Sequence, residues 1–286
     1  MDWYEDWQHQ RHAALFDGRS SLGSRALIRN YEAFNDVRLL NERLEHSRPV
    51  SLLEVGCATG EFSRYLRLVH PQVRYYGVDI SEPAVARAKQ KDPQAAVYLI
   101  HPHVPLAESL AGLGLPSQYE LVYAKDVLPH QTRPFEWLAE LAHVASDTVI
   151  VRCRTRDVGA TELNPDVSCQ YHYGGWMPYL VLNLQEVVER IAQESPGCEV
   201  VVYRHHMVLG GQHGRFLPKD LYLKETGTAE TAIGIFKRTQ EPGRVLIKDR
   251  VDQNPPEPWH RRLVHLARRV AASVRPSSPG APMPDS

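Results

Sequence analysis

The sequence is short of cysteine, of long apolar runs and of excess charge. Its four cysteines, at positions 57, 153, 169 and 198, are widely spaced and form no C-x-x-C pair, which argues against a zinc site and for a reducing compartment. A formal net charge of −1 gives no basic field to attract nucleic acid, so we expect no nucleic-acid partner. No apolar run is long enough to span a membrane, and residues 1–7 are too polar for a secretory signal, so the expected location is the cytoplasm.

What the sequence does contain is a strand–turn–helix–strand pattern in residues 50–79. The apolar run 50–55 meets a turn of small residues, a helical segment follows, and a second apolar run, 73–78, ends on Asp79. An acid at that point can accept hydrogen bonds from both hydroxyls of a ribose. The pattern therefore predicts a site for a ligand that contains a nucleoside.

The spacing of the turn, Glu54-x-Gly56-x-Ala58-x-Gly60, narrows the choice of ligand. Dinucleotide-binding turns place a pyrophosphate on the following helix, and a carboxylate beside it would be repelled. A carboxylate that faces an ammonium group would be attracted. Glu54 therefore favours a ligand with a cationic amine and without phosphate, and the small residues of the turn are expected to let the backbone approach that ligand closely.

The two motifs together resemble those of the class I S-adenosylmethionine-dependent methyltransferase superfamily, whose first motif is an acid-x-Gly-x-Gly-x-Gly loop. Weaker matches follow in the family's order, at residues 119–130, 148–151 and 231–236. The resemblance implies S-adenosyl-L-methionine as the cofactor. The cofactor contacts that it implies are Glu54, Gly56, Cys57, Ala58, Gly60, Asp79, Ile80, Lys125 and Asp126. After the third strand, where the family often has an acid for the adenine, this chain has His101-Pro102-His103, so the adenine contact stays open.

Strand and helix patterns alternate along the core, which predicts an α/β fold with a mostly parallel sheet covered on both faces. With the resemblance, this predicts a Rossmann-like sheet of seven strands, flanked by helices, in a methyltransferase domain of residues 49–240. Residues 154–182 break the alternation and are rich in aromatic side chains, so they are predicted as a lid insertion over the acceptor.

Residues 1–48 have apolar side chains at helical spacing and are predicted as an N-terminal helical cover. In it, Tyr31 and Arg25 either touch the cofactor or belong to a helix that simply packs on the sheet. Residues 241–286 are predicted as a C-terminal extension with a linker, a basic amphipathic helix and a disordered tail. That helix either contacts an anionic membrane or a protein partner, or packs on its own domain.

His130 is the first candidate for a general base, because it follows the fourth strand, where the loop is expected to overlook the transferred methyl group. The alternative is a loop histidine without a catalytic part. Tyr171 and His172, in the predicted lid, are further catalytic candidates. They either orient an acceptor hydroxyl or anchor the lid by aromatic packing.

Arg152, Arg154 and Arg156 alternate along the end of the fifth strand, so all three point to one side. Three guanidinium groups in this place indicate an acceptor that carries a phosphate or carboxylate. The alternative is a solvated strand end, in which the arginines pair with Asp157 or Glu162. A metal site is not predicted, because the paired histidines at 101 and 103 lack cysteine or carboxylate partners.

The hypothesis from the sequence is methyl transfer from S-adenosyl-L-methionine to an oxygen or nitrogen atom of a small-molecule or glycan-like acceptor. Two alternatives stay open. One is a non-catalytic scaffold of the same fold that binds a partner through the basic C-terminal helix. The other is a nucleotide-sugar or NAD-dependent oxidoreductase, which Glu54 disfavours.

Overall fold

The fold was obtained as a computed structural model, which describes residues 4–8, 22–44, 50–172, 175–206, 216–217 and 228–249. The predicted C-terminal helix and tail lie outside the described residues, as do residues 9–21 and 45–49 of the predicted N-terminal cover. The boundaries of the predicted cover and extension therefore stay a prediction.

Seven α-helices and twelve strands are formed within the described residues. The helices are α1 Ser24–Glu32, α2 Asn35–Leu44, α3 Glu61–Val69, α4 Glu82–Lys91, α5 Leu106–Gly112, α6 Pro134–Val144 and α7 Leu184–Glu194. The strands are β1 Val50–Val55, β2 Val73–Asp79, β3 Val97–Leu99, β4 Tyr119–Lys125, β5 Ala145–Arg156, β6 Cys169–His172, β7 Gly175–Pro178, β8 Leu182–Asn183, β9 Glu199–His206, β10 Phe216–Leu217, β11 Ala229–Phe236 and β12 Val245–Asp249. Two short 3-10 turns, Glu5–Gln8 and Leu128–His130, complete the set.

The central sheet has the strand order β12-β9-β11-β5-β4-β1-β2-β3, with β8 beside the end of β5. Strands β3, β2, β1, β4 and β5 run parallel, whereas β11 runs antiparallel to both β5 and β9. The predicted α/β Rossmann-like fold is confirmed, with its seven expected strands. The chain goes from β1 to β2 on one side and returns to β4 on the other, so the carboxyl ends of β1 and β4 border the switch point where ligands bind in such sheets.

Two strands of this sheet were not predicted. Strand β8 has only two residues, too few to leave a periodic pattern. Strand β12 pairs in parallel with β9 beyond residue 240, where a linker was predicted. Its apolar side chains Val245 and Ile247 are exposed, so the strand lacks the buried apolar alternation that identifies strands in a sequence.

The helices cover both faces of the sheet. Neighbouring residues of β1 point to opposite faces, so Leu52 and Leu53 mark two apolar layers. On the face of Leu52, helices α1, α2 and α3 bury their apolar sides, and on the face of Leu53 helices α5, α6 and α7 do so. Each fully buried leucine contributes about 1.5–3 kcal/mol to folding. None of the described helices is long and apolar enough to cross a membrane.

The described part of the predicted N-terminal cover packs on the sheet. Tyr31 is buried, and its ring centroid lies 5.2 Å from that of Phe62 and 5.0 Å from that of Tyr65. Arg25 is exposed. The structure therefore supports the second interpretation of this segment, in which the helix packs on the sheet and Tyr31 is a core residue.

The predicted lid insertion contains an antiparallel hairpin. Strands β6 and β7 pair so that Tyr171 lies opposite Trp176, and β10 adds a third strand on the other side of β6. The long strand β5 runs to Arg156, so the insertion starts only after the arginines. The aromatic residues Tyr171 and Trp176 of the insertion therefore belong to a small second sheet.

Candidate cofactor and acceptor site

The turn between β1 and α3 has left-handed backbone at three of its small residues. The φ angles are +79° at Gly56, +47° at Ala58 and +72° at Gly60. A side chain at Gly56 would overlap Val127, in the loop after β4. The close approach predicted at this glycine is therefore made by the protein's own chain. At Ala58 the cost is conformational, because a residue with a Cβ occupies a region that favours glycine.

Asp79, at the tip of β2, is held by this turn. Its Oδ2 accepts the N–H of Ala58 at 2.7 Å and its Oδ1 accepts the N–H of Ser81 at 2.8 Å. Burial raises the pKa of Asp79, and the hydrogen bonds from the backbone of Ser81, Ala58 and Ile80 oppose that rise. A carboxylate has about four acceptor positions, so two used positions leave others for a ribose diol.

Polar groups under the turn suit the amino-acid end of the implied cofactor. Glu54 is buried, and its Oε2 accepts the phenol of Tyr75 at 2.5 Å. The hydroxyl of Thr59 is buried without a hydrogen-bond partner among the described residues, and buried hydroxyls are normally paired. Thr59 was not predicted as a site residue, since its burial follows only from the packing of the turn.

Cys57 was predicted as a cofactor contact and lies under the same turn. Burial raises the pKa of its thiol well above the ordinary value, and the charges of Asp79 and Glu54 raise it further. The thiol is therefore protonated near neutral pH and unreactive. A side chain on Gly77 of β2 would come within 2.9 Å of its sulfur, so the thiol packs against the sheet.

A short segment near the N-terminus lies across the same edge of the sheet, which the sequence did not indicate. The hydroxyl of Ser81 donates to the carbonyl of Trp7 at 2.7 Å, and the side-chain amide of Gln8 donates to the carbonyl of Ile80 at 2.8 Å. The indole ring of Trp7 meets the ring of His130 edge to face at 4.8 Å between centroids. Trp7 thus bridges the tips of β2 and β4, on either side of the switch point.

His130 lies in the 3-10 turn after β4. Its Nδ1 is 2.7 Å from the carbonyl oxygen of Pro178, so Nδ1 carries the hydrogen and Nε2 carries the lone pair that can take a proton. The ring of Tyr179 meets His130 edge to face at 5.7 Å. The segment after the hairpin therefore fixes both the tautomer and the orientation of the imidazole.

The other predicted catalytic residues lie in the hairpin. The ring of Tyr171 packs against Trp176 at 5.6 Å, and its side chain is exposed. His172 ends β6, and its side chain lies outside the described residues. Tyr179, which was not predicted, is the residue after the hairpin that contacts His130.

The end of β4 joins an ion-pair network around Arg152. The Lys125 ammonium lies 3.6 Å from the centre of the Phe34 ring, and the Asp126 carboxylate lies 3.2 Å from Nε of Arg152. Glu230 of β11 binds Arg152 at 2.9 Å. Lys125 and Asp126 as cofactor contacts stay a prediction.

The centre of this network is buried. Asp36 is fully buried and lies 4.0 Å from Arg152, and its carboxylate also accepts the phenol of Tyr123. Burial by itself would lower the pKa of Arg152, but the carboxylates of Asp126, Glu230 and Asp36 raise it. Arg152 is therefore held by three acids and is not available for an anionic ligand. The acids predicted to pair with the arginines, Asp157 and Glu162, are not its partners.

The histidines after β3 are exposed, and the ring of His103 meets that of Tyr4 edge to face at 5.1 Å. Within the described ranges there is no group of three histidine, cysteine or acidic residues that could hold a metal ion. The absence of a metal site stays a prediction.

Comparison with known proteins agrees with this geometry. Residues 53–150 match the family model described as a methyltransferase domain. A malonyl-[acyl-carrier protein] O-methyltransferase from Anoxybacillus flavithermus is 27% identical over 117 residues, which are 39% of this chain and 42% of that protein. The chain therefore matches less than half the length of this relative.

Two solved structures resemble this chain over most of its length, at low sequence identity. The O-methyltransferase of a trans-AT PKS multienzyme from Brevibacillus brevis is 12% identical, with 79% of each chain covered and a TM-score of 0.49. The 1,6-didemethyltoxoflavin-N1-methyltransferase of Burkholderia thailandensis is 16% identical, with 80% of this chain and 87% of that chain covered and a TM-score of 0.47. The fold itself is established by the strand order. The region that matches the methyltransferase-domain model, residues 53–150, contains the β1–α3 turn and Asp79 described above.

Proposed function

We propose that this protein transfers the methyl group of S-adenosyl-L-methionine to an oxygen or nitrogen atom of a small-molecule acceptor, with His130 as the general base. The proposal depends above all on Asp79, whose carboxylate is held by the amides of Ala58 and Ser81 at the switch point of the sheet. Glu54, near the end of β1, and the hydroxyl of Thr59, which has no hydrogen-bond partner among the described residues, lie close to this carboxylate along the same turn region. These groups suit a ribose at one end of a ligand and an amino acid at the other.

The bound cofactor would supply a methyl group on a sulfonium, which is already a strong electrophile. The protein's own residues then have two tasks. Asp79 and the β1–α3 turn bind and orient the cofactor, which places the reacting atoms at short range. His130 takes the proton of an acceptor hydroxyl or ammonium on Nε2, because its Nδ1–H is bound to the carbonyl of Pro178. The rings of Trp7 and Tyr179 both meet the imidazole edge to face, and we expect them to restrict the access of water to it.

Isothermal titration calorimetry with S-adenosyl-L-methionine is the first test, with NAD⁺ as the comparison ligand. We expect heat from the first and none from the second. A screen of small hydroxyl and amine compounds for release of S-adenosylhomocysteine then identifies an acceptor. Binding of NAD⁺ in place of S-adenosyl-L-methionine would contradict the proposal and support the oxidoreductase. Binding of the cofactor without turnover on any acceptor would support a scaffold.

His130→Gln is expected to lower kcat about 10²- to 10⁴-fold on the acceptor found in that screen, because general-base catalysis typically contributes that much. His143→Gln, on the exposed side of α6, is the matched control. If His130→Gln kept the wild-type rate, His130 would be a loop histidine without a catalytic part.

Trp7→Ala is expected to weaken the binding of S-adenosyl-L-methionine about 10-fold, since an aromatic side chain that packs over a ligand contributes on the order of 1–2 kcal/mol. Calorimetry measures the change, and Trp176→Ala, in the exposed hairpin, is the control. Tighter binding by the Trp7 variant would mean that residues 4–8 occupy the place of the cofactor instead of covering it.

A further inference from the structure

The guanidinium of Arg154 is buried, and no carboxylate of the described residues pairs with it. The residue is only 4% exposed, and its Nη1 has no hydrogen-bond partner among the described residues. A guanidinium stays charged in proteins, and a buried charge without an opposite charge beside it is costly. We therefore expect this cation to lower the stability of the fold.

Arg152 makes the contrast clear. It lies two residues earlier on β5 and points to the same face, but Asp126, Glu230 and Asp36 surround it. Glu230 is the residue opposite Arg154 in the register of β5 and β11. Its carboxylate nevertheless binds Arg152, at 2.9 Å. The acid nearest to Arg154 along the sheet is thus used elsewhere.

Arg154 is connected to the proposed base through Tyr179. Strand β4 ends at Lys125, which pairs with Arg152, so Arg154 extends past the end of β4 toward the loop that carries His130. The guanidinium interacts with the phenol of Tyr179, where it opposes the rise that burial causes in the pKa of that phenol. The ring of Tyr179 in turn lies 5.7 Å from that of His130. Tyr179 therefore connects the cation to the imidazole.

We propose that Arg154 binds a carboxylate of the methyl acceptor, while His130 faces the atom that is methylated. This inference rests on the proposed function and adds the acceptor class to it. Arg154 carries one positive charge, and the nearby acids Asp36, Asp126 and Glu230 already pair with Arg152. A singly charged carboxylate neutralises Arg154, whereas a doubly charged phosphate monoester would add excess negative charge beside those acids. The carboxylate is therefore favoured over phosphate.

The binding test uses fluorine NMR with 4-fluorobenzoate, 4-fluorophenyl phosphate and the neutral 4-fluorobenzyl alcohol, each added to the wild-type protein saturated with S-adenosylhomocysteine. The benzoate is expected to bind, and Arg154→Gln is expected to weaken it at least 10-fold, whereas Arg133→Gln, an exposed arginine, should leave it unchanged. Equal binding to wild type and Arg154→Gln would overturn the proposal. Tighter binding of the phosphate than of the benzoate would overturn the choice of carboxylate.

A second measurement separates a ligand-binding cation from a structural one. Without any added anion, Arg154→Met is expected to raise Tm by about 2–4 °C, the shift that relief of a modest buried-charge penalty gives in a domain of this size. Arg152→Met should lower it. If Arg154→Met lowered Tm as well, Arg154 would be compensated by the protein itself and the proposal would fail.

These outcomes can be told apart from a failure of the proposed function. If the wild-type protein does not bind S-adenosyl-L-methionine, the proposed function fails, whatever the anions do. If it binds the cofactor but binds 4-fluorobenzoate no better than 4-fluorobenzyl alcohol, only the assignment of Arg154 fails.

Discussion

Asp79→Ala is expected to lower the affinity for S-adenosyl-L-methionine about 100-fold. Hydrogen bonds to a charged group contribute about 1.5–3 kcal/mol each, and a ribose diol would make two of them. About 3 kcal/mol in total corresponds to roughly two orders of magnitude in Kd. Calorimetry measures this change directly. The control is Asp92→Ala, which removes an exposed aspartate whose ion pair with Arg67 is also exposed.

The affinity is also expected to depend on pH. Burial raises the pKa of Asp79 above its ordinary value, and the ribose hydroxyls need the ionised carboxylate as their acceptor. As pH falls through the raised pKa, Asp79 takes up a proton and the affinity should fall, at a higher pH than for an exposed aspartate. Asp79→Ala should lack this dependence. An unchanged Kd in the variant at neutral pH would remove the main support for the cofactor site.

Arg152→Met is expected to lower the free energy of unfolding by about 3–5 kcal/mol, the loss seen when one partner of a buried ion pair is removed. Asp36 is fully buried and would keep its charge without a cation, while the half-exposed Asp126 can turn to solvent. Urea denaturation measures the loss. Arg133→Met, which removes an exposed arginine paired with Glu136, should change stability by less than about 1 kcal/mol.

If Arg152→Met did not fold, Arg152→Lys, which keeps the charge but not the planar fork, would give a smaller loss of the same sign.

The turn and its acid could be predicted because their residues follow one another in the chain. Strand β2 ends at Asp79, as its apolar pattern indicates, and strand β1 covers residues 50–55 as expected. The alternation of helices and strands along the core was predicted for the same reason, since apolar periodicity is local. Short or exposed strands such as β8 and β12 leave no such pattern.

The surroundings of the site could not be predicted, because their contacts join distant parts of the chain. Ser81 binds Trp7 across 74 positions, His130 binds Pro178 across 48, and Arg152 binds Glu230 across 78. The three arginines of β5 look alike in the sequence. Only the fold brings Asp36 of α2, Glu230 of β11 and Asp126 after β4 to Arg152, while no acid of the described residues pairs with Arg154.

The sequence by itself determined the α/β class, the position of the cofactor turn and the acid that completes it, because periodicity and motif spacing are properties of consecutive residues. The tertiary structure decided which charges are paired, which segment covers the switch point and how the imidazole of His130 is oriented. Those features arise from side chains brought together by the packing of strands and loops, and the free energy of a buried charge depends on what surrounds it.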